Sequence, residues 1–135
     1  MSKYRDVFLE EATEHLAEMS RALLELEKDP ARPESIDLLF RMAHSIKGMA
    51  ASLDYGSITS VAHRLEDHMQ AVRSAGGAVD HEGMALLFRG LEALESLVAQ
   101  VRDTGSAPAE APELGPGREA APPSSPPPEG VQKKA

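Results

Sequence analysis

The chain has 135 residues, a formal net charge of −8, and no cysteine. The missing cysteines exclude disulfides and thiolate metal sites, and the acidic balance argues against nucleic acid and anionic membranes as partners. Eight of the ten prolines follow residue 107. That shift predicts a folded unit over residues 1–104 and a disordered Pro/Ala/Gly-rich linker over residues 105–135, too rich in proline for a fifth helix.

Residues 3–28 read as a long helix. Tyr4, Val7, Phe8, Ala12, His15 or Leu16, Met19, Leu23 and Leu26 recur at three- and four-residue spacing and make one apolar stripe. Glu10, Glu11, Glu14, Glu18, Glu25 and Glu27 fall between them on the wet side. Asp29-Pro30-Ala31-Arg32-Pro33 ends this helix, because proline removes a donor and clashes with the preceding turn.

The second helix starts at Pro33, with Glu34 and Asp37 near the positive end of its dipole. Its stripe is Ile36, Leu39, Phe40, Ala43, Ile46, Ala50 and Leu53. At 100° per residue His44 falls about 120° from the centre of that stripe, on a flank. Lys47 and Ala51 lie between stripe and histidine, and Gly48 sits just beyond it. A glycine inside a helix costs about 1 kcal/mol relative to alanine, so Gly48 asks for a reason. Gly56 is expected to supply a left-handed turn at the helix end.

Ser57 is the expected N-cap of a third helix with Ile58, Val61, Ala62, Leu65, Met69 and Val72 inward. His63 and Glu66 share one flank, a turn apart. Gly76-Gly77 closes this helix. Asp80 caps a fourth helix carrying Met84, Leu87, Phe88, Leu91, Leu94, Val98 and Val101, which closes at Thr104-Gly105. Four amphipathic helices with short connections predict an all-α, antiparallel up-down four-helix bundle.

In such a bundle the flank of His44, Lys47, Gly48 and Ala51 faces the flank of His63 and Glu66. A carboxylate beside an imidazole accepts Nδ1–H, fixes the tautomer and leaves Nε2 as a free lone pair. Lys47 adds positive charge for the oxygens of an incoming phosphoryl group. Gly48 and Ala51 clear room for a docking partner. These are the parts of a phosphoryl-accepting histidine. No G-x-x-x-x-G-K-[ST] loop or other nucleotide site is present, so ATP and Mg²⁺ are expected from partner domains.

At these residues the chain resembles a known family. His44-Ser45-Ile46-Lys47-Gly48 is similar to the H-x-x-K-G signature of histidine phosphotransfer domains. His63-Arg64-Leu65-Glu66 resembles the H-x-x-E element of one branch, the N-terminal phosphotransfer domain of the chemotaxis sensor kinase CheA. The likeness extends over about residues 4–104 and includes Phe8-Leu-x-Glu-x-x-Glu-x-Leu and Phe40-Arg41. It implies that His44 is phosphorylated on Nε2, that Glu66 holds Nδ1, and that Lys47 and His63 complete the polar network. It also implies a histidine kinase catalytic domain as donor and the aspartate of a response-regulator receiver domain as acceptor; the absent cysteines and the lack of an apolar span or export signal set the expectation of a cytoplasmic location. Where the family often has glycine before the aromatic that ends helix two, this chain has Asp54 before Tyr55; aspartate tolerates left-handed geometry.

Two other readings compete. A metal site from His44, His63 and Glu66 lacks the paired Glu-x-x-His motifs of di-iron bundles. A helical docking module would use the same bundle without its histidine. His15, His68 and His81 are read as surface or packing residues.

Overall fold

The computed structural model describes residues 3–112 and Leu114; of the linker expected over residues 105–135, residue 113 and residues 115–135 lie outside them. Four helices follow in order: α1 (Lys3–Lys28), α2 (Pro33–Ser52), α3 (Gly56–Ser74) and α4 (His81–Thr104). No strand occurs among the described residues. Helix α1 packs on α2 and α4, and α3 packs on the same two, which closes an antiparallel four-helix bundle.

The core follows the predicted stripes with instructive exceptions. All six expected residues of α3 are buried. On α1, however, Tyr4 is 75% exposed and Val7 47%, and burial begins at Phe8. Periodicity identifies a face but not how far a neighbour covers it. At this end it is Arg5 that faces the end of α4: a Cβ on Gly105 would lie 2.7 Å from its Nη1. A cation beside a helix C-terminus is favourable there. On α4, Leu86 and Leu97 are buried in addition to the predicted set, whereas Met84 and Phe88 are only half-buried.

The loops use the expected chemistry, at partly different positions. Asp80 Oδ1 accepts from the Gly83 amide at 2.7 Å and caps α4, and Gly105, at φ 84°, ends it. Between α2 and α3 the left-handed residue is Asp54 (φ 63°), not Gly56. Gly56 is already helical and serves another purpose, since a Cβ there would meet the carbonyl oxygen of Ala109 at 2.8 Å. Nor does Ser57 cap α3. Tyr55 holds the cap position without a side-chain bond, and the Ser57 amide donates instead to the Pro108 carbonyl at 3.2 Å.

That carbonyl belongs to a strap beyond α4. Residues 106–112 and Leu114 lie back along α3 and α4, past the boundary expected at residue 104. Leu114 is buried, Ala107 and Ala111 are partly so, and Arg89 Nε donates to the Leu114 carbonyl. Pro108, Ala111 and Leu114 share a cleft with Ala93 and Leu97 of α4, which accounts for the unforeseen burial of Leu97.

Candidate functional site

The turn between α2 and α3 sets the site. Three residues connect the helices, with Tyr55 N–H donating back to Ala50 at 2.9 Å. The Tyr55 ring is buried against Phe8 of α1, centroids 5.2 Å apart. So tight and anchored a turn leaves the two helices one register. In an antiparallel pair, residues equally distant from the turn stand level. His44 lies eight residues before the end of α2 and Glu66 ten residues after the start of α3, so the two stand within one helical turn of level.

The two side chains meet: His44 Nδ1 lies 2.6 Å from Glu66 Oε2. Lys47 Nζ lies 2.6 Å from the other oxygen, Oε1. The carboxylate is thus gripped on both sides. Its side chain is only 11% exposed, whereas that of His44 is 64% exposed. Burial pushes the Glu66 carboxyl up, but hydrogen bonds from Lys47 and His44, together with the positive charge of Lys47, outweigh it. The group is held below the ordinary value.

An ionised carboxylate has no hydrogen to give. Nδ1 therefore carries the proton, and in the neutral imidazole Nε2 keeps its lone pair on the exposed edge of the ring. A nucleophilic nitrogen of defined tautomer stands at the surface.

The remaining predicted residues are placed as follows. Gly48 and Ala51 are exposed on the same helix, and a Cβ on Gly48 would meet nothing within 4 Å. No close packing requires that glycine, so the space it leaves opens outward. Lys47 does not extend freely toward solvent; its ammonium is tied to Glu66. His63 stands apart from the network. Its Nε2 lies 3.4 Å from Asp67 Oδ2, one turn along the same helix. Among the described residues no group of three His, Asp or Glu side chains is arranged to hold a metal ion.

Two features escaped the reading of the sequence. His15 Nε2 lies 3.2 Å from Ser45 Oγ and ties α1 to α2 beside His44. Phe40 stacks near-parallel to the His44 ring, centroids 6.4 Å apart and planes 15° apart, with the Arg73 guanidinium 4.5 Å above the Phe40 ring. Arg73 also reaches Asp37 at 4.0 Å. These two lie at nearly matching distances from the turn, 15 residues before the end of α2 and 17 after the start of α3, so approximate symmetry about the turn was the available signal.

A family model described as Hpt domain matches residues 3–104. The chain belongs to this family. The Hpt domain is 37% identical over 105 residues to the chemotaxis protein CheA of Bacillus subtilis, covering 78% of this chain and 16% of that protein. It is 32% identical over 105 residues to CheA of Halobacterium salinarum, with the same coverage of 78% and 16%. To the sensor histidine kinase CheAY of Helicobacter pylori it is 31% identical over 99 residues, covering 73% of this chain and 12% of that protein. The chain thus spans about one sixth of the length of the first two relatives. No solved structure matches it. Its kinship is with the phosphotransfer domains of chemotaxis two-component signalling. Among the described residues no helix is long and apolar enough to cross a membrane.

Proposed function

We propose that this Hpt domain is the phosphoryl relay of a chemotaxis-type histidine kinase, with His44 as the phosphorylated residue. The observation that carries the reading is the 2.6 Å contact from His44 Nδ1 to a buried carboxylate while the ring stays exposed. In the first transfer the bond from γ-phosphorus to the bridging oxygen of ATP breaks, ADP leaves with the electron pair, and Nε2 forms the N–P bond. The imidazolium so created is stabilised by Glu66, and Lys47 keeps Glu66 ionised. In the second transfer the N–P bond breaks, a receiver-domain aspartate oxygen takes the phosphorus, and His44 returns to its neutral form.

Phosphoryl transfer needs position and charge more than covalent help from the acceptor. The kinase domain would supply ATP and Mg²⁺, and a receiver domain would dock over Gly48 and Ala51. A cytoplasmic setting, where ATP and receivers are at hand, fits this cycle.

Incubation with a CheA-type kinase core and labelled ATP should give an acid-labile, alkali-stable phosphoprotein, and His44→Gln should abolish it. Equal labelling of His44→Gln would sink the assignment. A plain docking module would keep its partner binding after that substitution and would never have been labelled.

A further inference from the structure

The Glu66 contact and the covalent Cβ–Cγ bond hold one edge of the His44 ring, but small changes in its side-chain torsions can still tilt the ring plane. In-line transfer requires the Nε2 lone pair to be aimed, and misplacement by about 1 Å can cost on the order of 100-fold in rate. We propose that Phe40, braced by Arg73, is a positioning residue that sets the plane of the His44 imidazole; this rests on the phosphorelay reading above.

Phe40 stands one turn before His44 on α2, with its ring within 15° of parallel to the imidazole at 6.4 Å between centroids. That is an offset-stacked geometry, within the range where aromatic pairs attract. Phe40 is itself half-buried and packs against the core. Its ring is held from α3 by the Arg73 guanidinium at 4.5 Å, a cation over an aromatic face. Arg73 in turn is drawn to Asp37 Oδ1 at 4.0 Å, while Asp37 Oδ2 accepts from Arg41 Nε at 2.9 Å. A chain of contacts therefore runs from Asp37 and Arg73 through Phe40 to the imidazole. Glu66 sets the tautomer and one point of the ring; Phe40 sets its plane.

The test compares the full chain with Phe40→Leu, Phe40→Tyr and Arg73→Gln. Leucine keeps apolar volume and removes the aromatic face, whereas tyrosine keeps both. Two quantities are read: kcat and KM for phosphorylation by a CheA-type kinase core, and the NMR resonances of the His44 ring without kinase. Phe40→Leu should lower kcat by about 3- to 10-fold, the size of one aromatic stacking contact, with KM unchanged. The His44 ring resonances should shift as the neighbouring ring current disappears. Phe40→Tyr should restore both, and Arg73→Gln should give a smaller loss in the same direction. Unchanged kcat in Phe40→Leu overturns the inference, as does a loss that Phe40→Tyr shares. A change confined to KM would assign Phe40 to docking and also overturn it. Labelling that survives His44→Gln removes the phosphorelay reading instead, a separate outcome from any of these.

Discussion

His44 and Glu66, 22 residues apart on α2 and α3, meet at 2.6 Å through Nδ1 and Oε2. The carboxylate is buried and the imidazole edge is open, so one hydrogen bond settles which nitrogen can act as nucleophile. Lys47, at 2.6 Å from the second oxygen, offsets the cost of burying that negative charge.

Glu66→Gln removes the charge while keeping the shape. The imidazolium formed on phosphoryl transfer then loses its anion, and the amide can present its NH₂ to Nδ1, favouring the wrong tautomer. The rate of His44 phosphorylation should fall on the order of 10- to 100-fold, the worth of one charge-assisted hydrogen bond. The fold should persist by circular dichroism. An unaltered rate would remove Glu66 from the mechanism.

The same residue sets a pH dependence. Its carboxyl in the folded state lies below the reference value of 4.5, so the folded state binds the proton less readily than the unfolded chain. The stability this confers is fully present above the unfolded value and is lost as pH falls through the folded one. Urea unfolding of wild type and Glu66→Gln at pH 7 and pH 3 should show a stability difference that moves against the wild type in acid. A difference independent of pH would contradict the depressed carboxyl.

Gly48 offers a case where stability and function should part. A Cβ there meets nothing within 4 Å, and the residue is inside α2, four residues before its end. Gly48→Ala should raise unfolding free energy by about 0.5–1 kcal/mol. The methyl group would also stand on the approach path to His44, so phosphotransfer to a receiver domain should slow. Greater stability with an undiminished transfer rate would mean that the glycine does not serve access.

The strap should be felt in stability. Leu114 is 5% exposed and sits over the cleft formed with Ala93 and Leu97. Leu114→Ser should cost about 1–3 kcal/mol, the value of burying one such side chain, measured by urea unfolding. Protection of the Ser57 amide from hydrogen exchange should drop with it, since that amide donates to Pro108. No change in either would mean that residues 106–112 and Leu114 contribute nothing to the domain.

Much of the fold was legible because helix periods, Pro33, Asp80 and Gly105 act locally. The bounds of α1 and the caps of α4 came from neighbouring residues alone. His44, Lys47, Gly48 and Glu66 stood out for the same reason: their spacing put them on facing flanks of adjacent helices. His63 shared the flank of Glu66 and was expected in the network. It lies 3.4 Å from Asp67 instead, because which of two nearby carboxylates a flank histidine approaches is decided by distances no spacing rule contains.

The amino-acid order by itself determined four amphipathic helices, their short connections, and a histidine set off the core stripe. Each of these depends on period, capping or turn chemistry within a few residues. The tertiary structure alone decided the burial of Glu66, the tethering of Lys47, the stack of Arg73 on Phe40, and the strap that claims Gly56 and the Ser57 amide. All of these are contacts between separate segments, fixed only once the Tyr55 turn sets α2 against α3 and residues 106–112 with Leu114 fold back on α4.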